Sequence, residues 1–350
     1  MRFLCMAVLA LLVCAPTTAA DVTRKKSMWG PASVDGASQF PIYADLGVGI
    51  WQTGLSWRDT AAARPAAPRD PADPAYRWPD LDGAIAEAGR HGIEVSVLVM
   101  WSPGWANGGR TAQWAPDRPR DFADFLAAAS RRFPDVTHWM IWSEPTKESN
   151  FQPLRHPRRG ARIYARMLDA AYGALKRVDR GDRVIGGNSY TVGAVRPREW
   201  IRALRLPGGR SPRMDLYGHN AFNARRPLLV APPLGSGYAD FGDLDTLFGW
   251  IDRDLRDARP DGRRLKVFIS EISYPTDHAN HEFNFWMTPE VQANWLRDAL
   301  GETRRVRRIY TFGYLGLYDD APRPAGDQVE RGLIRRDGTP KPGYAAFRDG

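Results

Sequence analysis

Cysteine is almost absent from this sequence. Its two cysteines, Cys5 and Cys14, both lie in the first 20 residues. That segment has the pattern of a secretory signal peptide, with Arg2, an apolar run over Phe3–Val13 and small residues up to Ala20. We therefore expect a secreted or periplasmic protein that is cleaved after residue 20. The mature chain would have no thiol, which excludes disulfides, zinc–cysteine clusters and cysteine nucleophiles.

Long apolar runs are also lacking. The run in the signal segment is too short to span a bilayer, and no later segment is long and apolar enough to form a membrane helix. A lipid anchor on Cys14 is the less favoured alternative, because Val13 occupies a position where such an anchor needs a small residue. The sequence thus predicts no membrane span.

Positive charge is in excess but is not concentrated. The formal net charge is +9, and it comes mostly from arginines scattered along the chain. A solvated surface explains this pattern, and a preference for anionic polymers is the sharper alternative. Nucleic acid is a less favoured partner, because the sequence has no dense basic run and no recognised binding motif.

The mature sequence alternates short β-branched runs with longer segments of helical period, which is typical of repeated βα units. We count eight such units and no linker, so residues 21–350 are predicted to form one α/β domain, a (β/α)8 TIM barrel. The predicted strands are Ser27–Pro31, Gly49–Leu55, Glu94–Met100, His138–Trp142, Arg183–Gly187, Met214–His219, Lys266–Glu271 and Arg308–Phe312.

Three local patterns refine this prediction. Phe122, Phe125 and Leu126 have the spacing of one helical face. Thr288 followed by Pro289 is a helix start signal. The Pro/Ala-rich segment from residue 61 to 75 is interpreted as a loop rather than a domain boundary. The loops that follow barrel strands build the active site, so we look for chemistry just beyond the strand ends.

Two glutamates occupy such positions. Glu144 follows the predicted fourth strand and Glu271 ends the seventh. Each has an ordinary interpretation, since Glu144 could start a helix and Glu271 could cap one. Together, however, two carboxyl groups facing each other across a barrel mouth suit glycosidic cleavage, which needs one acid for the leaving oxygen and one carboxylate at the anomeric carbon.

The sequence resembles the clan A retaining glycoside hydrolases, including families thirty-nine, forty-two and five, over most of its mature length. IWSEPT resembles the clan's strand-four acid/base motif, and FISEIS resembles its strand-seven nucleophile motif. The resemblance implies that Glu144 is the acid/base and Glu271 the nucleophile. The further fragments that carry it are Asp45 with Gly47–Trp57, Tyr76–Asp82, His91–Val99, Ser102–Ala106 and Gly332–Phe347.

Three positions depart from the clan's pattern. Ser143 replaces the asparagine that usually binds the sugar 2-hydroxyl, and its shorter side chain either reaches that group through water or does not reach it. Gln52 replaces an arginine that supports the nucleophile. In the strand-six His-x-Tyr pattern His219 matches, Asn220 is a candidate for a substrate contact, and the tyrosine is missing.

Aromatic side chains at strand ends are candidates for stacking on sugar rings. We select Trp101 and Trp105, which follow the third strand, and Tyr314, which corresponds roughly to the clan's strand-eight aromatic. The tryptophans at or beyond strand ends are Trp51, Trp57, Trp101, Trp105 and Trp142. Any one of them taken alone is better explained by barrel packing.

The segment after the seventh strand, residues 276–287, is predicted to wall or cover the site. It contains Asp277, His278, His281 and Phe283. The two histidines have the spacing of metal ligands, but further ligands are missing, so we interpret them as polar loop residues. The sequence implies neither a metal nor a cofactor.

These features predict a carbohydrate substrate and a retaining double displacement. The positive net charge of the protein makes an anionic carbohydrate a candidate. Glu271 would attack the anomeric carbon while Glu144 protonates the leaving oxygen, which requires different surroundings for the two acids. Two alternatives stay open. One is a barrel that binds glycans with impaired catalysis, which the changes at Ser143 and Gln52 favour, and the other is a transglycosylase that uses the same residues.

Overall fold

A computed structural model describes residues 26–223, 225–230, 233–276, 285–321 and 330–350. Eight parallel strands form a closed barrel, in which each strand pairs with the next along the chain and the last pairs with the first. The strands are β1 Lys26–Trp29, β2 Ile50–Ser56, β3 Glu94–Met100, β4 Val136–Ile141, β5 Arg183–Tyr190, β6 Leu216–Asn220, β7 Lys266–Ile272 and β8 Ile309–Leu315. The predicted fold class is confirmed.

Every predicted strand overlaps one strand of the barrel. The bounds of β3 are as predicted, because its run of β-branched and aliphatic residues is buried on both faces. β5 and β8 continue to Tyr190 and Leu315, beyond the predicted ends. β4 ends at Ile141, one residue early, because the next residue, Trp142, has a left-handed backbone with φ 63°.

The helices lie outside the barrel and bury one face against it. They are α1 Phe40–Asp45, α2 Trp57–Thr60, α3 Asp82–Arg90, α4 Pro119–Arg132, α5 Pro157–Val178, α6 Pro197–Ala203, α7 Leu244–Asp254, α8 Pro289–Arg305 and α9 Pro342–Asp349. The predicted face of α4 is buried, and Thr288 caps α8 by accepting the N–H of Val291 at 3.3 Å. Residues 61–75 form turns without helix or strand, as predicted.

Packed side chains close the lower half of the barrel. Buried His138 from β4 lies 2.9 Å (Nε2) from the hydroxyl of Tyr310 in β8, and the Tyr310 ring stacks on Phe268 of β7. The barrel is therefore a filled core, and its chemistry is left to the carboxyl ends of the strands. Within the described residues, no helix has the length and apolar character needed to cross a bilayer.

Candidate active site

Glu144 and Glu271 lie at the carboxyl ends of their strands. Glu271 is the second-last residue of β7 and is half-buried. Glu144 lies in a turn after β4, closed by the N–H of Lys147 on the Glu144 carbonyl at 2.9 Å, and its side chain is buried. The next helix begins only at Pro157. Neither glutamate therefore starts or caps a helix.

The backbone around Glu144 is held in a strained conformation. Trp142 and Glu144 have φ angles of 63° and 41°, in the left-handed region that costs a side-chain-bearing residue about 1–3 kcal/mol. The Asn188 amide donates to the carbonyls of Ile141 and Trp142 at 3.1 and 2.6 Å, and the Trp142 indole donates to the Asn150 carbonyl at 2.7 Å. These bonds hold the main chain that leads into Glu144 and offset the strain there.

Asn220, at the end of β6, acts on both carboxyl groups. Its Nδ2 donates to Glu144 Oε1 at 3.0 Å, and its side chain lowers the pKa of Glu271. The Ser270 hydroxyl donates to Asn220 Oδ1, which leaves the amide N–H groups for the acids. The structure thus brings together three of the predicted site residues, Glu144, Asn220 and Glu271.

Lys147 is a functional candidate that the sequence reasoning missed. Its Nζ lies 2.7 Å from Glu144 Oε2 and 3.8 Å from the centre of the Tyr190 ring. The turn that follows Glu144 returns the chain so that residue 147 lies beside residue 144. The available signal was a lysine three residues after the glutamate in the motif IWSEPTK.

Burial and neighbouring charges act on the Glu271 carboxyl group. Loss of solvation and the charge of Glu144 raise the pKa of Glu271, against the opposing effects of Lys147, Arg331 and the Asn220 side chain. Arg331, a buried residue that also pairs with Asp320 at 2.7 Å, was not foreseen from the sequence. Lys147 and Arg331 therefore supply the positive charge that is missing at position 52.

Gln52 acts on the main chain next to Glu271. Its buried Nε2 donates to the Ser270 carbonyl at 2.9 Å and to Ser27 Oγ at 3.2 Å. The Trp29 indole donates to the same carbonyl at 3.0 Å. The peptide just before Glu271 is thus fixed by two N–H donors from β1 and β2.

A cleft of about 740 Å³ opens at this end of the barrel. Trp29, whose indole bonds the peptide before Glu271, lines it on one side, and Arg331 lines it on the other. Tyr318, Asp319 and Asp320 follow β8 and form a further part of its wall. The cleft is large enough for sugar residues, although neither Glu144 nor Glu271 is among its lining residues.

Two predicted contact residues are enclosed elsewhere. His219 is fully buried, with Nε2 2.8 Å from the Ala239 carbonyl and Nδ1 2.8 Å from Ser189 Oγ. Burial lowers the pKa of His219 to about 4, so the ring is neutral near pH 7. Tyr314 is also fully buried, and its hydroxyl donates to the Arg331 carbonyl at 2.7 Å. Neither side chain has a surface to offer a sugar in this conformation.

Trp101, Trp105 and Ser143 lie at the same end of the barrel but in different surroundings. Half-buried Trp101 meets the Trp142 ring edge to face at 6.3 Å. Trp105 donates its indole N–H to Ala61 at 2.7 Å, and Arg64 covers its ring at 4.5 Å, which ties it to the 61–75 loop. Ser143 is buried beside Glu144, and its carbonyl is 3.5 Å from Asn150 Nδ2.

The predicted covering segment lies largely outside the described residues. Asp277, His278, His281 and Phe283 all fall in residues 277–284. Among the residues that the structure does describe, no cluster of three or more histidine, cysteine, aspartate or glutamate side chains is arranged to hold a metal ion.

No protein-family model and no curated protein matches the sequence. Solved structures do match the fold. A family 39 glycoside hydrolase from Bacteroides cellulosilyticus WH2 is 18% identical with a TM-score of 0.69, over 94% of this chain and 64% of its own. A glucosidase from Croceicoccus marinus is 14% identical with a TM-score of 0.65, over 93% of this chain and 66% of its own.

A monomeric β-xylosidase from Caulobacter crescentus CB15 is 16% identical with a TM-score of 0.63, over 94% of this chain and 68% of its own. This chain thus spans about two thirds of the length of each of these proteins. The resemblance predicted from the sequence is confirmed at the level of fold: the protein is similar to the barrel glycoside hydrolases.

Proposed function

We propose that this protein is a glycosidase that cleaves O-glycosidic bonds of an oligo- or polysaccharide with retention of anomeric configuration. The observation that carries the proposal is the placement of Glu144 and Glu271 at the carboxyl ends of β4 and β7, where Asn220 hydrogen bonds to Glu144 at 3.0 Å and lowers the pKa of Glu271. Retaining enzymes place their two carboxyl groups about 5–5.5 Å apart, closer than inverting enzymes, which admit a water molecule between them.

In the first step Glu271 attacks the anomeric carbon, the bond to the leaving oxygen breaks, and Glu144 gives that oxygen its proton. In the second step Glu144 takes a proton from water, the water oxygen bonds to the anomeric carbon, and the Glu271 ester bond breaks. The first step needs one carboxylate and one carboxylic acid. Loss of solvation and the charge of Glu144 raise the pKa of Glu271, which opposes the ionised state that its attack needs, and Lys147 and Arg331 act in the opposite direction.

The departures from the clan's pattern are compensated nearby. Asn220 places an amide beside Glu144, next to the position where Ser143 replaces the usual asparagine. Lys147 and Arg331 provide positive charge where Gln52 replaces arginine. These substitutes favour a working enzyme over a barrel that only binds glycans.

The test is a screen of the purified protein against aryl glycosides and a polysaccharide panel, followed by proton NMR of the first product from any substrate found. We expect that product to have the anomeric configuration of the substrate. An inverted first product would overturn the retaining mechanism. Binding without turnover would instead identify a glycan-binding barrel, and transfer to an added sugar acceptor would identify a transglycosylase.

We also propose that the protein is exported and acts in polysaccharide degradation, on the basis of the apolar segment at residues 3–13 and the small residues that follow it. Expression in the native cell should give a mature chain that begins at Asp21 and appears outside the cytoplasm. Intact-mass analysis of fractionated cells tests this, and a full-length cytoplasmic protein would contradict it.

A further inference from the structure

Six arginines line a cleft of about 440 Å³ between α5 and α6. Its lining residues are Arg158, Arg162, Arg196, Arg198, Glu199, Arg202, Ala203, Arg205, Ser236 and Gly237. Arg205 is the most buried of the six and pairs with Asp254 at 3.5 Å. We call this the arginine cleft.

The other five arginines of the cleft are exposed. In the part of the chain that the structure describes, no carboxylate pairs with Arg158, Arg162, Arg196, Arg198 or Arg202. Arginines elsewhere on the surface commonly have one, as in the pairs of Arg118 with Asp121 at 3.0 Å and Arg253 with Asp254 at 2.8 Å. Among the described residues, the cleft thus holds five arginines with no ion-pair partner, and its one lining carboxylate, Glu199, pairs with none of them.

The spacing of these residues adds repulsion. Arg158 and Arg162 lie four residues apart on α5, and Arg198 and Arg202 lie four residues apart on α6. Like charges at this spacing face each other on a helix and destabilise it. A bound anion would relieve that repulsion on both walls of the cleft.

The cleft has a defined shape because its rim is held together. Arg196 donates to the Ser236 carbonyl at 2.9 Å and lies 5.0 Å from the centre of the Tyr238 ring, and the Arg198 N–H donates to the Gly237 carbonyl at 3.2 Å. Gly237 has φ 94°, and a Cβ there would lie 3.2 Å from the Arg198 Cβ. The loop therefore approaches α6 closely at a residue that needs glycine.

The cleft begins on the catalytic side of the barrel. Arg158 and Arg198 are the second residues of α5 and α6, and Ser236 lies in the connection between β6 and α7. In a (β/α)8 barrel the helix starts lie at the same end as the strand carboxyl ends. A sugar chain that leaves the site of Glu144 between β4 and β6 would run toward the starts of α5 and α6, where the cleft begins.

We propose that the arginine cleft binds anionic groups of a sugar chain, so that the substrate class is an acidic polysaccharide; this deepens the proposed function and rests on it. Guanidinium groups form paired hydrogen bonds with carboxylates and sulfates. No aromatic residue is among those lining the cleft, and the Tyr238 ring at its rim already lies against Arg196 at 5.0 Å, which disfavours single-stranded nucleic acid, whose bases stack on free rings.

The test compares two double variants with the same loss of charge. Arg158→Ser with Arg162→Ser removes one wall of the cleft. Arg177→Ser with Arg180→Ser is the matched control, since both residues are exposed, lack an acidic partner in the described chain, and lie near the opposite end of α5. Binding is measured with polygalacturonate, dextran sulfate, uncharged dextran and single-stranded DNA at about 0.15 M salt.

We expect the wild-type protein to bind polygalacturonate, dextran sulfate or both, and not dextran; the two anionic probes distinguish carboxylate from sulfate. The cleft variant should bind about tenfold more weakly, and the control by less than about twofold. Equal losses in the two variants, or no binding of either anionic glycan, would overturn the inference. DNA bound as tightly as the glycans through the same arginines would overturn it in favour of nucleic acid.

These outcomes are separable from failure of the proposed function. Hydrolysis of a small aryl glycoside depends on Glu144 and Glu271 and should be the same in both double variants and in the wild type. Hydrolysis of the aryl glycoside without binding of either anionic glycan would refute the role of the arginine cleft and leave the proposed glycosidase activity standing. Anionic glycan binding lost only in the cleft variant would support the cleft even if no substrate were hydrolysed.

Discussion

Lys147 pairs with Glu144 at 2.7 Å, and it does so from a turn that the Glu144 carbonyl itself closes. The same ammonium group lowers the pKa of Glu271, against the stronger effects of lost solvation and of Glu144. One lysine therefore influences both acids of the candidate site, although only one of them is its ion-pair partner.

Replacing this lysine should change the pH dependence of the enzyme. In Lys147→Met the pKa of Glu271 should rise further, and because the nucleophile must be ionised, the acidic limb of kcat/KM should move upward by roughly 0.5–1 pH unit. Lys147→Arg keeps the positive charge, so the acidic limb of kcat/KM should stay at its wild-type pH. A matched control is Lys176→Met. Lys176 forms an ion pair of the same kind, with Asp215 at 2.9 Å, but it lies outside the candidate site. An acidic limb that does not move in Lys147→Met would refute this role.

The two glutamates should fail in different ways. Glu144→Ala should slow the hydrolysis of substrates with poor leaving groups by about 10²–10⁴-fold. Activated aryl glycosides should lose much less activity, and added azide should restore their turnover. Glu271→Ala should abolish turnover of both kinds. Steady-state rates on paired substrates measure the difference, with Glu290→Ala, an exposed residue of α8, as the control. Wild-type rates in both site variants would place the chemistry elsewhere.

Buried His219 should make folding stability sensitive to acid. Its pKa is lowered from 6.5 to about 4, so the folded protein binds fewer protons than the unfolded chain between these values. The stability contributed by the neutral ring is fully present above pH 6.5 and is lost as pH falls toward about 4.

The loss should be about 1–3 kcal/mol over that window. His219→Gln should be less stable near neutral pH, because it breaks the bonds to Ala239 and Ser189, but it should show a smaller fall in Tm across the window. Thermal unfolding followed by circular dichroism at several pH values tests this. Parallel pH dependence in the two proteins would assign the acid sensitivity to other groups.

The sequence could predict the barrel because each strand is a short β-branched run and each helix has an apolar face. It also located Glu144 and Glu271, since both follow from strand order. The direction of Tyr314 could not be predicted. β8 changes register against β7 between Phe312 and Tyr314, and such a shift can turn the following side chain to the other face. Tyr314 consequently packs against Phe347 of α9.

The charged residues that surround the two acids could not be predicted from the sequence either. Arg331 lies 60 positions after Glu271 and influences it through a fold that brings β7 and the segment after β8 together. Asn220 was foreseen as a substrate contact, but its contact with Ser270 depends on strand register and on the direction of one hydroxyl. Such contacts arise between strands, where sequence patterns carry little information.

Trapping the covalent intermediate tests whether Glu271 is the nucleophile of a retaining mechanism. A substrate from the glycan screen would be converted to its 2-deoxy-2-fluoro analogue with an activated leaving group, and the inactivated protein would be digested and analysed by mass spectrometry. We expect one sugar attached to Glu271, in the peptide that contains Phe268–Ser273, and no attachment in Glu271→Gln. A sugar attached to any other residue, or continued turnover without an attached sugar, would contradict it.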